Sequence, residues 1–142
     1  MDRRNFIKSG CILCVGAVGL GILATGLSSC ATLPMYNASA EKDFLNVPLS
    51  AFNKSRILIV RNKQSEYDIL LVKNSETDIR ALLMKCTHQD NSLTANTSGL
   101  FCASHGSTFD LKGEVTKEPA LRALKKFKTN INGNQIIINL KS

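Results

Sequence analysis

Several residue types are scarce in this chain of 142 residues. Tryptophan is absent, aromatic residues make up 6% of the chain, and there are only two histidines. The five cysteines are an odd number, which excludes a closed set of disulfide pairs. Hydrophobic residues make up 44% and charged residues 20%, so long disorder and a multi-span membrane protein are also excluded. A chain of this length is expected to form one domain with one site.

Helical periodicity is also missing. No segment sustains the 3.6-residue repeat of an amphipathic helix. Short β-branched runs alternate instead with polar turn segments, and these runs lie at 57–60, 69–72, 81–84 and 136–138. The pair Asn132-Gly133 is the strongest hairpin signal in the chain. We therefore predict an all-β fold of antiparallel sheets at residues 43–142, without an internal repeat or a second domain.

The first thirty residues are typical of an export signal. A basic start is followed by an uncharged apolar stretch at 10–27, which holds five of the nine glycines. That glycine content makes the stretch less hydrophobic than most permanent anchors. Arg3 and Arg4, with the Asn-Phe-Ile-Lys that follows them, resemble the twin-arginine motif. The resemblance implies export in the folded state, a route often used by proteins that acquire a metal cofactor before export.

The end of this stretch, Leu27-Ser28-Ser29-Cys30, resembles a bacterial lipobox. It implies that a signal peptide at 1–29 is removed and that Cys30 is lipidated. An uncleaved anchor helix and ordinary cleavage nearby are the alternatives. In all three cases the folded part lies outside the cytoplasmic membrane, tethered to it or close to it. Residues 30–42 show no periodicity, and we predict a flexible linker there.

Two further cysteines, Cys11 and Cys14, lie inside the apolar stretch with CxxC spacing. Such a spacing can mark a redox or metal pair. Inside a signal core we interpret both as small apolar filler.

Basic residues exceed acidic residues only moderately beyond this signal. From Cys30 onward, 113 residues carry 15 basic and 10 acidic side chains. This excess is too small for a nucleic-acid footprint, so no nucleic-acid partner is expected. Lys125, Lys126 and Lys128 form the densest basic group. We interpret the group as a solvated strand edge, with a docking patch for an acidic redox partner or for lipid headgroups as the alternative.

Both histidines lie close to a cysteine. The motifs Cys86-Thr87-His88 and Cys102-Ala103-Ser104-His105 are separated by thirteen residues. Each places a thiolate and an imidazole together after a predicted strand, and two such loops facing each other supply four metal ligands. One zinc ion or a 2Fe-2S cluster would suit this donor set. Structural zinc sites more often pair cysteine with cysteine and histidine with histidine, so the mixed loops favour the cluster.

The second motif extends into a longer match. Residues 99–113 resemble the second cluster-binding loop of Rieske iron-sulfur proteins, and Cys86-Thr87-His88 resembles the first. Glu118-Pro119-Ala120 resembles the proline loop that covers the cluster in that family. The similarity spans roughly residues 43–142. It implies a Rieske-type all-β domain with a cluster-binding subdomain formed by two loops.

The resemblance also implies a ligand assignment. Cys86 and Cys102 would bind one iron through sulfur, and His88 and His105 would bind the other through nitrogen. Neutral imidazoles in place of thiolates remove negative charge, which makes the added electron less costly. Rieske potentials accordingly lie roughly between −150 and +300 mV, above those of all-cysteine ferredoxins.

Three departures from the best-known members of the family matter, and the first two concern the loops. Quinol-oxidising Rieske proteins of cytochrome bc complexes carry one more cysteine in each loop, and the two form a disulfide. Here these positions are Asn91 and Ser104, so packing and hydrogen bonds must hold the loops together. The thirteen-residue spacer is slightly short for the family, which implies a compact first loop.

The third departure concerns the potential. High-potential members have a serine hydroxyl donating to a bridging sulfide and a tyrosine hydroxyl donating to a cysteine sulfur. Ser107 retains the first donor, whereas Phe109 lacks the second. We expect a potential between those of the ferredoxin and quinol-oxidising branches. A turn hydroxyl that caps the loop backbone is the alternative role for Ser107.

The sequence shows no nucleophile-base constellation, and a fully ligated cluster has no open position for a substrate. We therefore predict a lipid-anchored carrier on the periplasmic side of a bacterial membrane, passing single electrons between redox partner proteins or a membrane quinol chain. The alternatives are the Rieske subunit of a quinol-oxidising or arsenite-oxidase-like complex and a zinc-stabilised surface binding module. The missing disulfide and Phe109 argue against the quinol-oxidising complex.

Overall fold

The computed structural model describes residues 32–141, which form two β-sheets and a single turn of 3-10 helix at Leu49–Phe52. This confirms the predicted all-β fold. The strands of this part of the chain are β1 (Met35–Ala38), β2 (Ala40–Glu41), β3 (Phe44–Pro48), β4 (Ile57–Asn62), β5 (Ile69–Lys73), β6 (Ile79–Leu83), β7 (Thr94–Ala95), β8 (Gly99–Phe101), β9 (Thr108–Asp110), β10 (Val115–Lys117), β11 (Lys126–Asn132) and β12 (Gln135–Asn139). The predicted export signal, including Arg3, Arg4 and Cys30, lies outside the described residues, as do Cys11 and Cys14.

The larger sheet contains eight strands in the order β1-β4-β5-β6-β11-β12-β3-β2. Adjacent strands of this sheet are antiparallel, except that β1 and β4 are parallel. Strand β11 joins the two halves of this sheet, because its start at Lys126 and Phe127 pairs with β6 and the remainder pairs with β12. The smaller sheet is an antiparallel meander in the order β10-β9-β8-β7.

Strands β4, β5 and β6 bury apolar side chains on both faces. Side chains alternate between the two faces of a strand, so an uninterrupted apolar run requires a core on each side of the sheet. On β5, Ile69 and Leu71 enter one core, whereas Leu70 and Val72 enter another. The buried residues of the first core are Ala38, Leu45, Val47, Phe52, Leu58, Val60, Ile69, Leu71, Ile79, Ala81, Ile136 and Ile138.

The second core lies between this three-stranded region and the smaller sheet. Its buried residues are Ile57, Leu70, Val72, Leu82, Met84, Cys86, Leu93, Leu100, Cys102, Phe109, Ala120 and Leu124. The two cysteines after the signal region are thus part of the core that joins the two sheets.

The predicted hairpin at Asn132-Gly133 is confirmed, with a shift of one residue. Asn132 pairs with Gln135, so the two-residue loop consists of Gly133 and Asn134. Gly133 has φ +56°, the left-handed conformation that such tight turns require.

The predicted linker at 30–42 is wrong where the structure describes strands. β1 lies beside β4, and the N–H of Ile59 donates to the carbonyl of Pro34 at 2.9 Å. Ala38 is buried in the first core. An edge strand is held largely by backbone hydrogen bonds, so it needs little apolar periodicity. The sheet therefore begins at Met35, before the predicted domain boundary at residue 43.

The predicted solvated strand edge at Lys125, Lys126 and Lys128 is also wrong, because β11 lies inside the sheet between β6 and β12. The side chain of Lys126 pairs with Glu114, with 2.6 Å between Nζ and Oε1. The lysine side chains remain exposed because β11 buries its residues only partly and on alternate positions.

None of the helical structure within residues 32–141 has the length and apolar character needed to cross a membrane.

Gly99 fixes the approach of β8 to β9. A Cβ atom at this position would overlap the carbonyl oxygen of Phe109 on the facing strand. Only a residue without a side chain allows the two backbones to pair at this distance. Since β8 leads directly into Cys102, this pairing also positions the second cysteine.

We predict that Gly99→Ala lowers the free energy of unfolding by about 1–3 kcal/mol, because the added methyl group pushes β8 away from β9. Chemical denaturation of the purified protein measures the change. Thr97→Ala is the control, because Thr97 is an exposed residue of the turn before β8 and its truncation leaves the pairing of β8 with β9 unchanged. A Gly99→Ala protein as stable as the control would contradict the proposed close approach.

Candidate metal centre

The two cysteines of the described chain are brought together from different sheets. Cys86 follows β6 of the larger sheet, whereas Cys102 directly follows β8 of the smaller one. Both are free thiols, and only 1% and 2% of their surfaces are exposed. The side chain of Cys86 hydrogen-bonds that of Cys102.

The two cysteine loops have the same backbone conformation. In each, the cysteine N–H donates to the carbonyl five residues later, and the cysteine carbonyl accepts from the N–H four residues later. The bonds are Cys86 to Asn91 (2.8 Å), Asp90 to Cys86 (2.9 Å), Cys102 to Ser107 (2.9 Å) and Gly106 to Cys102 (3.0 Å). The fifth residue of each loop is left-handed, with φ 58° at Asp90 and 81° at Gly106. The loops are therefore related structural units, each with its cysteine at the base.

The histidines lie on the outer side of these loops. The ring centroids of His88 and His105 are 5.0 Å apart, and the rings are perpendicular. His88 is half-buried and His105 is exposed. Sulfur donors thus lie inside the protein, and nitrogen donors lie at its surface.

The environment of Cys102 favours a thiolate. Burial raises the pKa of its thiol, but hydrogen bonds from the backbone N–H of Ser104, from the Cys86 side chain and from the backbone N–H of His105 outweigh burial. The pKa of Cys102 is therefore below its ordinary value. A lowered pKa suits a metal ligand, because the thiolate is the form that binds metal.

A third segment, residues 118–124, contacts both cysteine loops; we call it the clamp segment. The hydroxyl of Thr87 in the first loop donates to the carbonyl of Arg122 at 2.6 Å. The N–H of Ala120 donates to Oγ of Ser107, at the end of the second loop, at 3.0 Å. The peptide bond between Glu118 and Pro119 is cis. The clamp segment thus includes Pro119 of the predicted proline loop, and it joins the two loops by hydrogen bonds.

Ser107 is fully buried, and its hydroxyl oxygen is used as an acceptor by Ala120. The hydroxyl hydrogen therefore remains available for a second partner. The N–H that the hydroxyl oxygen accepts belongs to the clamp segment, so the hydroxyl does cap a loop backbone, which was the alternative role given to Ser107. Phe109 is also buried, in the second core with both cysteines.

Asn91 and Ser104, which stand where the resemblance places the disulfide cysteines of quinol-oxidising Rieske proteins, use their backbones instead. The carbonyl of Asn91 accepts the N–H of Cys86, and the N–H of Ser104 donates to the sulfur of Cys102. Hydrogen bonds therefore close the loops at these positions.

The first loop contains more regular structure than the predicted compact loop. Strands β7 and β8 both lie between His88 and Cys102. The side chain of Asn96 accepts hydrogen bonds from the N–H groups of Ser98 and Gly99, which tightens the turn between these strands.

The donor set fits a Rieske cluster. Such a centre takes two cysteines on one iron and two histidines on the other, so its ligands are divided between two metal ions. No three cysteine, histidine, aspartate or glutamate side chains between residues 32 and 141 are grouped around one common metal position. The four residues predicted from the sequence, Cys86, His88, Cys102 and His105, do lie together as two inner thiols and two outer rings.

Sequence reasoning missed several residues that shape this site. Thr87 and Arg122 form a bond between segments 35 residues apart, and no local pattern marks such a contact. Asp90 had a weak signal, because aspartate and asparagine are among the residues that tolerate a left-handed backbone. Its side chain also pairs with Lys85 at 3.1 Å.

An all-β domain that presents two cysteines and two histidines on facing loops has the donor set of an iron-sulfur protein with mixed ligands. Residues 51–128, more than half of the chain, match the family of the Rieske 2Fe-2S domain. The chain belongs to this family, and its cofactor is a Rieske 2Fe-2S cluster.

Solved structures show the same fold. The cyanobacterial plasma membrane Rieske protein PetC3 from Synechocystis PCC 6803 is 24% identical, with a TM-score of 0.55 over 66% of this chain and 97% of that one. A chain from the complex of reduced oxygenase and oxidized ferredoxin in carbazole 1,9a-dioxygenase is 18% identical, with a TM-score of 0.53 over 70% and 95% of the two chains. Naphthalene 1,2-dioxygenase is 20% identical, with a TM-score of 0.54 over 68% of this chain and 26% of its own. No curated protein matches the sequence significantly.

We predict that Thr87→Val weakens the connection between the first loop and the clamp segment. The substitution keeps the shape of the side chain but removes the hydroxyl, and the loss of one such bond costs about 1 kcal/mol. We expect a lower unfolding temperature and faster bleaching of the cluster absorbance on heating. Thr87→Ser keeps the hydroxyl and is the control. Equal bleaching rates for the two variants would show that this bond does not stabilise the site.

Proposed function

We propose that the chain is a Rieske electron-transfer protein in which Cys86 and Cys102 bind one iron and His88 and His105 bind the other. The observation that carries this proposal is the matched pair of loops, with two buried thiols and two histidine rings 5.0 Å apart on the outer side. The cluster, when bound, supplies one-electron oxidation and reduction at a potential above that of all-cysteine clusters.

The surroundings of the ligands support a carrier of electrons. Both sulfur positions are sealed in the second core, which keeps water away from them. The exposed ring of His105 gives a partner protein direct access to the ligand side of the second iron. We call the surface formed by His88 and His105 the histidine face. We propose that electrons enter and leave there and that the chain itself has no substrate site.

We also propose that the protein works on the extracytoplasmic side of a bacterial membrane, anchored through a lipid on Cys30. Support comes from the twin arginines Arg3 and Arg4 and from the small residues before Cys30. That one protein of similar fold is a plasma membrane Rieske protein agrees with this location. Its redox partners would then be periplasmic or membrane proteins.

The ligand assignment predicts a purified protein that is red-brown, contains two irons and two sulfides, and gives a low-field-shifted rhombic electron paramagnetic resonance signal after reduction. Cys86→Ser should lose the iron and the signal. Cys30→Ser is the matched control, because it also removes a thiol but lies outside the proposed ligands, and it should keep both. A wild-type protein that holds zinc in place of iron would contradict the proposed function.

Phe109 generates a second prediction, on the reduction potential. A tyrosine hydroxyl at this buried position would donate to a cysteine sulfur and stabilise the more negative, reduced state of the cluster. Such a bond contributes about 1–2 kcal/mol, or about 40–90 mV for one electron. We therefore expect redox titration of Phe109→Tyr to show a potential raised by that amount.

Ser107→Ala is the opposing variant, because it removes a hydroxyl that we place as a donor to the cluster, and it should lower the potential. An unchanged potential in Phe109→Tyr with an intact cluster would refute the tuning role of this position.

A further inference from the structure

The clamp segment has an outward side that takes no part in joining the two loops. Its residues Ala120 and Leu124 are 0% and 3% exposed and belong to the second core. Leu121 between them is 81% exposed, far more than the other exposed large apolar side chains of residues 32–141, which are Met35, Phe44 and Phe101. This leucine follows directly on the residue that bonds the second loop, so it lies beside the metal centre.

A basic cleft adjoins this leucine. The cleft has a volume of about 320 Å³, large enough for one acidic side chain, and Cys86, Thr87, Lys85, Asp90, Arg122 and Lys125 contribute to its lining. Asp90 is the one carboxylate there, and it is already paired with Lys85 at 3.1 Å. Arg122 and Lys125 are exposed, and neither forms an ion pair within residues 32–141. The cleft therefore carries a surplus of positive charge.

A further cation lies on the other side of the site. A Cβ atom on Gly106, the residue after His105, would lie 4.0 Å from Nζ of Lys117. This ammonium group therefore lies beside the second loop. Glu118 is the neighbouring exposed carboxylate and offsets one charge. Lys117, Arg122 and Lys125 still leave a net positive charge around the histidine face.

We propose that this surface, made of Leu121, Lys117, Arg122 and Lys125, is the docking site for a redox partner protein with an acidic face. The partner would place an apolar spot on Leu121 and insert a carboxylate side chain into the cleft beside Arg122 and Lys125. The proposal rests on the proposed electron-transfer function and names the class of partner that it requires.

The charge pattern selects this occupant over others. A second copy of the same surface would bring cations against cations, which is unfavourable. A lipid surface would cover the histidine face through which electrons have to pass. An acidic protein is attracted over a distance of about one Debye length, roughly 8–10 Å, and that attraction increases the rate of encounter.

The double variant Arg122→Gln/Lys125→Gln tests the proposal. Only the side chain of Arg122 changes, so its carbonyl still accepts the bond from Thr87. Lys54→Gln/Arg56→Gln is the matched control, with one lysine and one arginine removed. Both control residues are exposed and precede Ile57. Ile57 pairs with Val72, which pairs in turn with Arg80 near the start of β6, whereas the cysteine loop leaves β6 at its other end, Leu83.

The probe is plastocyanin, a small acidic copper protein, titrated into the cluster-loaded full chain with both proteins oxidised, so that binding is measured without electron transfer. Isothermal titration calorimetry at low ionic strength should give equal affinity for wild type and control. The double variant should bind on the order of 5- to 10-fold more weakly. Leu121→Ser should also weaken binding, but without changing the dependence on salt.

Equal affinity of the double variant and the control would overturn the proposal, and so would failure of the wild type to bind at low salt. Binding of the same surface to phosphatidylglycerol vesicles in preference to plastocyanin would assign it to the membrane and overturn it as well. These outcomes are distinct from failure of the proposed function, which would appear as absence of iron and of the resonance signal.

Discussion

The structure depends on holding two loops face to face without a covalent bond between them. The loops arise from different sheets, and each is closed internally by two backbone hydrogen bonds. The clamp segment completes the site, because it bonds Thr87 of the first loop and Ser107 at the end of the second. The segment is fixed in turn by the burial of Ala120 and Leu124. Where quinol-oxidising Rieske proteins have a disulfide, this chain has hydrogen bonds that are anchored in the core.

This arrangement requires a sheet that is apolar on both faces. Strands β4, β5 and β6 alternate their side chains between the first and second cores, so they support the folded body on one side and the cysteine-bearing loops on the other. Cys86 and Cys102 are members of the second core and therefore cannot move independently of it. The packing that stabilises the fold is thus the same packing that fixes the sulfur positions. A substitution that loosens the packing of Leu70 or Leu82 would therefore also shift the positions of the thiols.

The sequence was informative where local chemistry decides the structure. The spacing of two cysteines and two histidines predicted the residues that come together, and Asn132-Gly133 predicted a hairpin that β11 and β12 form with a shift of one residue. Strands β1 and β2 were missed, because an edge strand is defined by its backbone pairing to a distant partner. The interior position of β11 was missed for the same reason. The bond from Thr87 to Arg122 joins segments far apart in the chain, and propensity and periodicity carry no information on such contacts.

The backbone and the side chains of the clamp segment have different roles. Its backbone N–H at Ala120 and carbonyl at Arg122 are used to close the loops, whereas the side chains of Leu121 and Arg122 are exposed. Substitution of the exposed side chains can therefore alter the docking that we propose, while the backbone bonds that hold the metal centre stay in place. Since the thiols are buried and the imidazoles face outward, the electron exchange that we propose would take place next to this segment. The same neighbourhood of the fold then bears on both the stability of the cluster and the docking that we propose, because charges act over roughly 8–10 Å in salt solution.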